Sequence, residues 1–141
     1  MAANILVVDD SGIMRKMIRR TIGISGLDVG EVYEASNGIE GLAQLSQHEV
    51  SVVLLDINMP VMNGVQFMHR IKDDERLSKV PIVIASTEGS ETRIGELKAL
   101  GARGYIRKPF QPEQIRDVLE PFVGLKSEEA FAADADDDTS F

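Results

Sequence analysis

The sequence predicts an α/β domain: a five-stranded parallel sheet with five helices packed on its two faces. Three observations predict it. Short apolar runs without polar alternation recur at Ile5–Val8, Val52–Leu55 and Ile82–Ala85, as expected of strands buried on both faces. Segments with helical apolar spacing separate them, so strand and helix alternate along the chain, and such alternation closes into a parallel sheet with right-handed crossovers. At 141 residues the chain has the size of one domain with one real core.

Each element has a local reason. Asn4–Val8 is the first strand, and Ser11 is an N-cap for a helix with Ile13, Met14, Met17, Ile18 and Ile22 at helical spacing and Arg15, Lys16, Arg19 and Arg20 facing water. Ser25-Gly26 ends that helix. Glu31–Ala35 alternates apolar and polar residues, as a half-buried strand near a sheet edge does. Ser36-Asn37-Gly38 then turns into a helix carrying Ile39, Leu42, Ala43 and Leu45. Val52–Leu55 is the central strand, closed off by Pro60, and Met62-Asn63-Gly64 opens a helix with Val65, Phe67, Met68 and Ile71. Pro81–Ser86 is the fourth strand. A helix from Glu91 to Leu100, stopped by Gly101, leads to the fifth strand at Gly104–Arg107. Pro112 starts the last helix where a missing N–H costs nothing, with Ile115, Val118, Leu119 and Phe122 as its apolar stripe.

In such sheets ligands bind beyond the carboxyl ends of the strands. Here those ends deliver Asp9 and Asp10, Asp56, Ser86 and Lys108. Three carboxylates at one sheet edge raise one another's pKa unless a cation sits among them, and a hard divalent ion, Mg²⁺ above all, suits that oxygen donor set. Carboxylates, a lysine ammonium and a hydroxyl together fit the oxygens of a transferring phosphoryl group, with Asp56 as a nucleophile able to form an aspartyl phosphate.

Composition narrows the classes. A net charge of −8 and a pI near 4.7 argue against direct binding to nucleic acid or to an anionic membrane. The absence of cysteine excludes disulfides, thiolate zinc sites and thiol nucleophiles. No basic leader or spanning apolar run precedes or interrupts the pattern, so no membrane insertion and a cytoplasmic location are expected. His48 and His69 stand singly on helices and are expected at the surface. Residues 126–141 differ in kind: six acidic residues and one lysine make an acidic C-terminal tail, with Ser127-Glu128-Glu129 and Phe131 as the start of a short extra helix if one forms.

The motifs Val7-Val8-Asp9-Asp10, Leu55-Asp56-Ile57-Asn58-Met59-Pro60 and Gly101–Phe110, which contains Lys108-Pro109, closely resemble the receiver domain of two-component response regulators, in particular the single-domain chemotaxis regulators. The resemblance spans residues 4 to about 124, giving a receiver domain over 1–125 and the tail over 126–141. It implies the flavodoxin-like strand order 2-1-3-4-5. It also implies that Asp56 accepts a phosphoryl group from a histidine kinase. Asp10 would bind Mg²⁺ directly, Asp9 through water and Asn58 through its backbone carbonyl. Lys108 would pair with the phosphoryl oxygens, and the Lys108-Pro109 peptide would be cis. Ser86 would be the switch hydroxyl and Tyr105 the aromatic that follows it, shifting a two-state equilibrium. Asn58, Thr87 and Glu88 hold positions that tune hydrolysis. Thr87 departs from the family habit of a small residue after the switch hydroxyl, and its β-branch would crowd the phosphoryl group.

The implied partners are the kinase, a phosphatase and a phosphorylation-dependent output protein such as the flagellar motor switch, met by the fourth helix, fifth strand and fifth helix of a monomer that is not itself an enzyme. A phosphorelay shuttle or a regulator outside motility would use the same site. A haloacid-dehalogenase-type phosphohydrolase is the alternative from another class, but those carry Asp-x-Asp after the first strand, and the run here is Asp9-Asp10-Ser11.

Overall fold

A computed structural model describes residues 3–87 and 91–126. The elements follow one another as β1 (Ala3–Val8), α1 (Gly12–Gly23), β2 (Val29–Ala35), α2 (Gly38–Gln47), β3 (Val52–Leu55), α3 (Gly64–Asp73), a single 3₁₀ turn (Leu77–Lys79), β4 (Ile82–Ser86), α4 (Glu91–Ala99), β5 (Gly104–Arg107) and α5 (Pro112–Val123). All neighbouring strands are parallel, in the order β2-β1-β3-β4-β5. The expected fold class and strand order are therefore the observed ones.

Strand pleating divides the core into two layers. Leu6, Val8, Val53, Leu55, Ile82 and Ile84 face one side, where Leu45, Phe67, Met68, Ile71 and Leu97 from α2, α3 and α4 cover them. Ile5, Val7, Leu54, Val83 and Ile106 face the other, under Ile18, Ile22, Ile115 and Leu119 from α1 and α5. Burial of each such side chain contributes about 1.5–3 kcal/mol, so the unbroken apolar runs of β1, β3 and β4 hold the sheet centre. Among the described residues no helix is long and apolar enough to cross a membrane.

Three expectations about faces are corrected. Helix α1 buries Ile18 and Ile22, but leaves Ile13 76% and Met17 50% exposed. The five apolar positions span too wide an arc for one sheet contact to cover. Arg15 does not face water: its Nε donates to Glu34 Oε1 at 2.9 Å and its Nη1 to the Asp9 carbonyl at 2.6 Å. Helix α2 buries Gly38, Gly41 and Leu45, whereas Ile39 and Ala43 are exposed. The reason is close approach, because a Cβ on Gly41 would stand 2.9 Å from Phe67 and 3.2 Å from Val8. His48 is half-buried, its ring stacked on Tyr33 with centroids 4.0 Å apart, while His69 is exposed as expected. Glu88 and the tail beyond Lys126 lie outside the described residues.

Candidate functional site

The parallel register brings the ends of β1 and β3 level: Val8 pairs with both Ala35 and Leu55, so Asp9 and Asp56 emerge side by side. Leu55 pairs with Ile84 and Ile84 with Tyr105, so Lys108, after β5 and two strands from Asp56, extends two residues further beyond the same sheet edge. The backbone continues each ladder by one step: Asp9 N–H donates to the Ala35 carbonyl at 3.0 Å, Asp56 N–H to Val8 at 2.9 Å and Lys108 N–H to Ser86 at 2.9 Å. These bonds set where Asp9, Asp56 and Lys108 present their side chains.

The three are buried, with 2%, 7% and 7% of their surface exposed respectively. Lys108 Nζ lies 2.6 Å from Asp9 Oδ2 and 3.5 Å from Asp56 Oδ2, and so bridges the two carboxylates. The other Asp9 oxygen accepts the Ser11 N–H at 2.9 Å. Ser11 also caps α1, its hydroxyl accepting the Met14 N–H at 3.1 Å. Asp10, next in sequence, is exposed. Even so, Asp9, Asp10 and Asp56 each offer a carboxylate oxygen within 4.8 Å of the others.

Asp56 sits in an environment that works against its charge. Desolvation pushes its carboxyl above the usual range and the neighbouring Asp9 charge adds to this, while Lys108 and hydrogen bonds from the backbone N–H groups of Asn58 and Ile57 pull it back. The loop after Asp56 is held against it by α3. Gly64 N–H donates to the Ile57 carbonyl at 2.8 Å, and a Cβ on Gly64 would meet the Asp56 carbonyl oxygen and Ile57 Cα at 2.8 Å. Only glycine permits that approach. Asn63 and Gln66 close a reciprocal capping box at the start of α3, which fixes the direction of the loop.

The donor set fits a hard divalent cation. All three candidate ligands are carboxylates, and against the single Lys108 ammonium they leave two formal negative charges. Around this centre Ser86 is fully buried at the end of β4, Thr87 is exposed immediately beyond it, and Asn58 is exposed in the loop after Asp56. The Lys108-Pro109 peptide is cis. Tyr105 lies further from the strand end, paired with Ile84 and half-buried against the α2, α3 and α4 layer.

Sequence reasoning missed two supporting residues. Arg15 ties the start of α1 to the Asp9 backbone and to Glu34, a contact across 19 residues that no local pattern announces. Gly64 was visible only as part of an Asn-Gly helix start, not as the residue that lets α3 touch the Asp56 backbone.

A parallel sheet that gathers three carboxylates against one lysine beyond its strand ends is the frame of an acidic-pocket signalling domain. The model of the response regulator receiver domain matches residues 5–120, and the chain belongs to that family. It is 36% identical over 129 residues to a chemotaxis protein CheY homolog of Campylobacter jejuni, covering 91% of this chain and 98% of that one. Among solved structures, chemotaxis protein CheY4 of Vibrio cholerae matches with a TM-score of 0.78 and 35% identity, over 87% of this chain and 100% of the other. The phosphorylated cyanobacterial phytochrome response regulator RcpA matches with a TM-score of 0.75 and 26% identity, over 86% and 94%. The protein is a CheY-like receiver-domain signalling protein.

Proposed function

We propose that this receiver accepts a phosphoryl group on Asp56 from a histidine kinase and, so charged, changes its affinity for an output partner. The observation that carries the reading is the convergence of Asp9, Asp10 and Asp56 within 4.8 Å, with Lys108 reaching two of them. Asp9, Asp10 and Asp56, with the Asn58 backbone carbonyl, would hold Mg²⁺. Bound there, Mg²⁺ supplies neutralisation of the charge on the transferring phosphoryl oxygens.

The chain's own residues account for the rest. An Asp56 carboxylate oxygen attacks phosphorus, the P–N bond of the phosphohistidine breaks with its electron pair staying on the imidazole, and an acyl phosphate forms. The backbone N–H groups of Ile57 and Asn58 keep that carboxylate oriented. Lys108, already 3.5 Å from Asp56 Oδ2, is placed to pair with the added phosphoryl oxygens, trading its contact with Asp9 for them. Ser86, on the adjacent strand end, hydrogen-bonds the phosphoryl group. Tyr105, on the neighbouring strand, follows and alters the α4, β5 and α5 face where the partner docks. Asn58, Thr87 and Glu88 set how readily water reaches the product. The names of the relatives, chemotaxis proteins, support a role in chemotaxis. On that reading the output partner is the flagellar motor switch and the protein works in the cytoplasm.

The test is incubation with acetyl phosphate and Mg²⁺, followed by intact-mass measurement and borohydride mapping of the acyl phosphate. One acid-labile phosphoryl group on Asp56 is expected. Phosphate on the Asp56→Asn protein at the wild-type level would overturn the assignment. Affinity capture with and without a phosphoryl analogue then identifies the partner that depends on it.

A further inference from the structure

Beside the acidic pocket stands a second cation, and it grips the backbone rather than a carboxylate of the pocket. Arg15, in the first turn of α1, turns back to the end of β1, where its Nη1 donates to the main-chain carbonyl of Asp9 at 2.6 Å. Its Nε donates to Glu34 Oε1 at 2.9 Å. Arg19, one turn further along α1, takes the other oxygen of Glu34 through Nε at 3.1 Å and Nη2 at 2.7 Å, and the same Nη2 donates to the Val32 carbonyl at 2.8 Å. The Glu34 carboxylate on β2 is thus clamped between two guanidinium groups and fixes the orientation of the Arg15 fork. Burial works against the Glu34 charge, but the hydrogen bonds from Arg19 and Arg15 outweigh it and hold the carboxyl below its usual range, so the clamp is ionised at neutral pH.

What Arg15 holds is the peptide that joins Asp9 to Asp10. A peptide group is planar, so a bond to the Asp9 carbonyl fixes the plane from which Asp10 departs. Asp9 is otherwise held by its own N–H on Ala35 and by Ser11 and Lys108 on its two carboxylate oxygens. Asp10 is exposed, so the aim of its carboxylate follows from that backbone.

Two effects of Arg15 on a cation site oppose each other. By charge alone a guanidinium repels a dication, and its removal tightens binding. By geometry it keeps Asp10 in register with Asp9 and Asp56, and its removal weakens binding. Glu34 offsets the charge, whereas partners that orient metal ligands are worth about 10–100-fold in affinity, so geometry prevails. Geometry also separates cations. Mg²⁺ needs a near-ideal octahedron at about 2.0–2.1 Å, while Ca²⁺ accepts flexible arrangements at about 2.3–2.6 Å. A change of charge acts on both ions alike; a loosened peptide acts on Mg²⁺ more.

We infer that Arg15, braced by Glu34 and Arg19, is a positioning residue that makes the acidic pocket prefer Mg²⁺ to Ca²⁺ by fixing the Asp9-Asp10 peptide. The inference rests on the reading that Asp9, Asp10 and Asp56 hold a divalent cation, and is independent of phosphorylation.

Amide NMR titrations of the metal-free full chain with MgCl₂ and, separately, CaCl₂ give both dissociation constants. In Arg15→Met, which removes donor and charge together, Mg²⁺ affinity is expected to fall about tenfold and Ca²⁺ affinity by less than about threefold. Arg15→Lys keeps the charge but has no planar fork to serve both Glu34 and Asp9, so the same loss of preference is expected there, and it carries the test should Arg15→Met not fold. Lys16→Met removes an exposed charge from the next position of the same helix and should leave the ratio of the two constants as in wild type. Tighter Mg²⁺ binding in Arg15→Met, or equal changes for both ions, would overturn the inference. So would unchanged constants in both Arg15 variants of a protein that binds Mg²⁺ as wild type, with the cation site itself left standing. A wild-type protein that bound neither ion would overturn the site and the inference together.

Discussion

At the carboxyl ends of β1, β3 and β5 the chain buries two carboxylates and an ammonium, Asp9, Asp56 and Lys108, whereas at the amino ends of the same strands the linking polar groups stay near water. There Asn4 donates to the Glu49 carbonyl and accepts the Glu31 N–H, both at 3.0 Å and both in exposed surroundings. A cavity of about 570 Å³ also lies at that end, lined by residues including Asn4, His48, Ser51 and Arg76, yet among the described residues it gathers no buried charge. The contrast teaches that size of a hollow does not mark the chemistry. Charge held against its own solvation does, because burial of unpaired ions costs several kcal/mol and persists only where something else requires it.

The comparison breaks most visibly at Lys108. Lys108→Met leaves Asp9 and Asp56 buried without their counter-ion, and removal of one partner from a buried ion pair costs about 3–5 kcal/mol. Urea denaturation of the metal-free variant should show that loss, and added Mg²⁺ should recover part of it. A loss below about 1 kcal/mol, the range of exposed pairs, would mean the carboxyl end is no different from the surface. Gly64→Val comes next. Its Cβ would press on the Asp56 carbonyl oxygen and Ile57 Cα, backbone atoms that cannot rotate away, so a cost of about 1–3 kcal/mol is expected from overpacking, with slower phosphorylation by acetyl phosphate.

A subtler change tests the electrostatics. The raised Asp56 pKa means that the folded state holds this proton more tightly than the unfolded chain does. Its contribution to stability is thus fully present below about pH 3.9, the unfolded value, and is lost as pH rises through the folded value. Asp56→Asn removes the titration but keeps the shape and an acceptor for Ile57 and Asn58. Metal-free Asp56→Asn should therefore gain stability over wild type as pH rises from 4 to 7.5, as read by urea midpoints, and a difference that is constant with pH would contradict the cause. The smallest effect belongs to the amino end. Asn4→Ala should cost about 1 kcal/mol for its exposed hydrogen bonds and leave Mg²⁺ affinity unchanged. A change in affinity would show that the two ends are coupled.

Much of this contrast was legible in the sequence, for a physical reason. A strand buried on both faces reads as an unbroken apolar run, and the first polar residue after it must sit at the sheet edge, so Asp9, Asp56 and Ser86 could be placed without coordinates. Strand order came from the family resemblance, since apolar runs carry no information about which strands are neighbours. Helix faces were less legible. Ile13, Met14, Met17, Ile18 and Ile22 cover too much of α1 to say which half meets the sheet, and glycines such as Gly38 and Gly41 carry no apolar signal although they line the α2 contact. The direct Lys108–Asp9 bond was also invisible, because it joins residues 99 apart whose strands are not neighbours in the sheet.

The most direct test of the claim that Asp9, Asp10 and Asp56 form one cation site is the Mg²⁺ dependence of folding stability. A ligand that binds only the folded state stabilises it by RT ln(1 + [L]/Kd), about 2.7 kcal/mol at a hundredfold excess over Kd. The wild-type urea midpoint should climb with the logarithm of Mg²⁺ concentration, and the climb should be lost or strongly weakened in Asp10→Ala, which removes an exposed carboxylate without disturbing the buried Lys108 pair. An equal climb in both proteins, or none in wild type, would contradict the account.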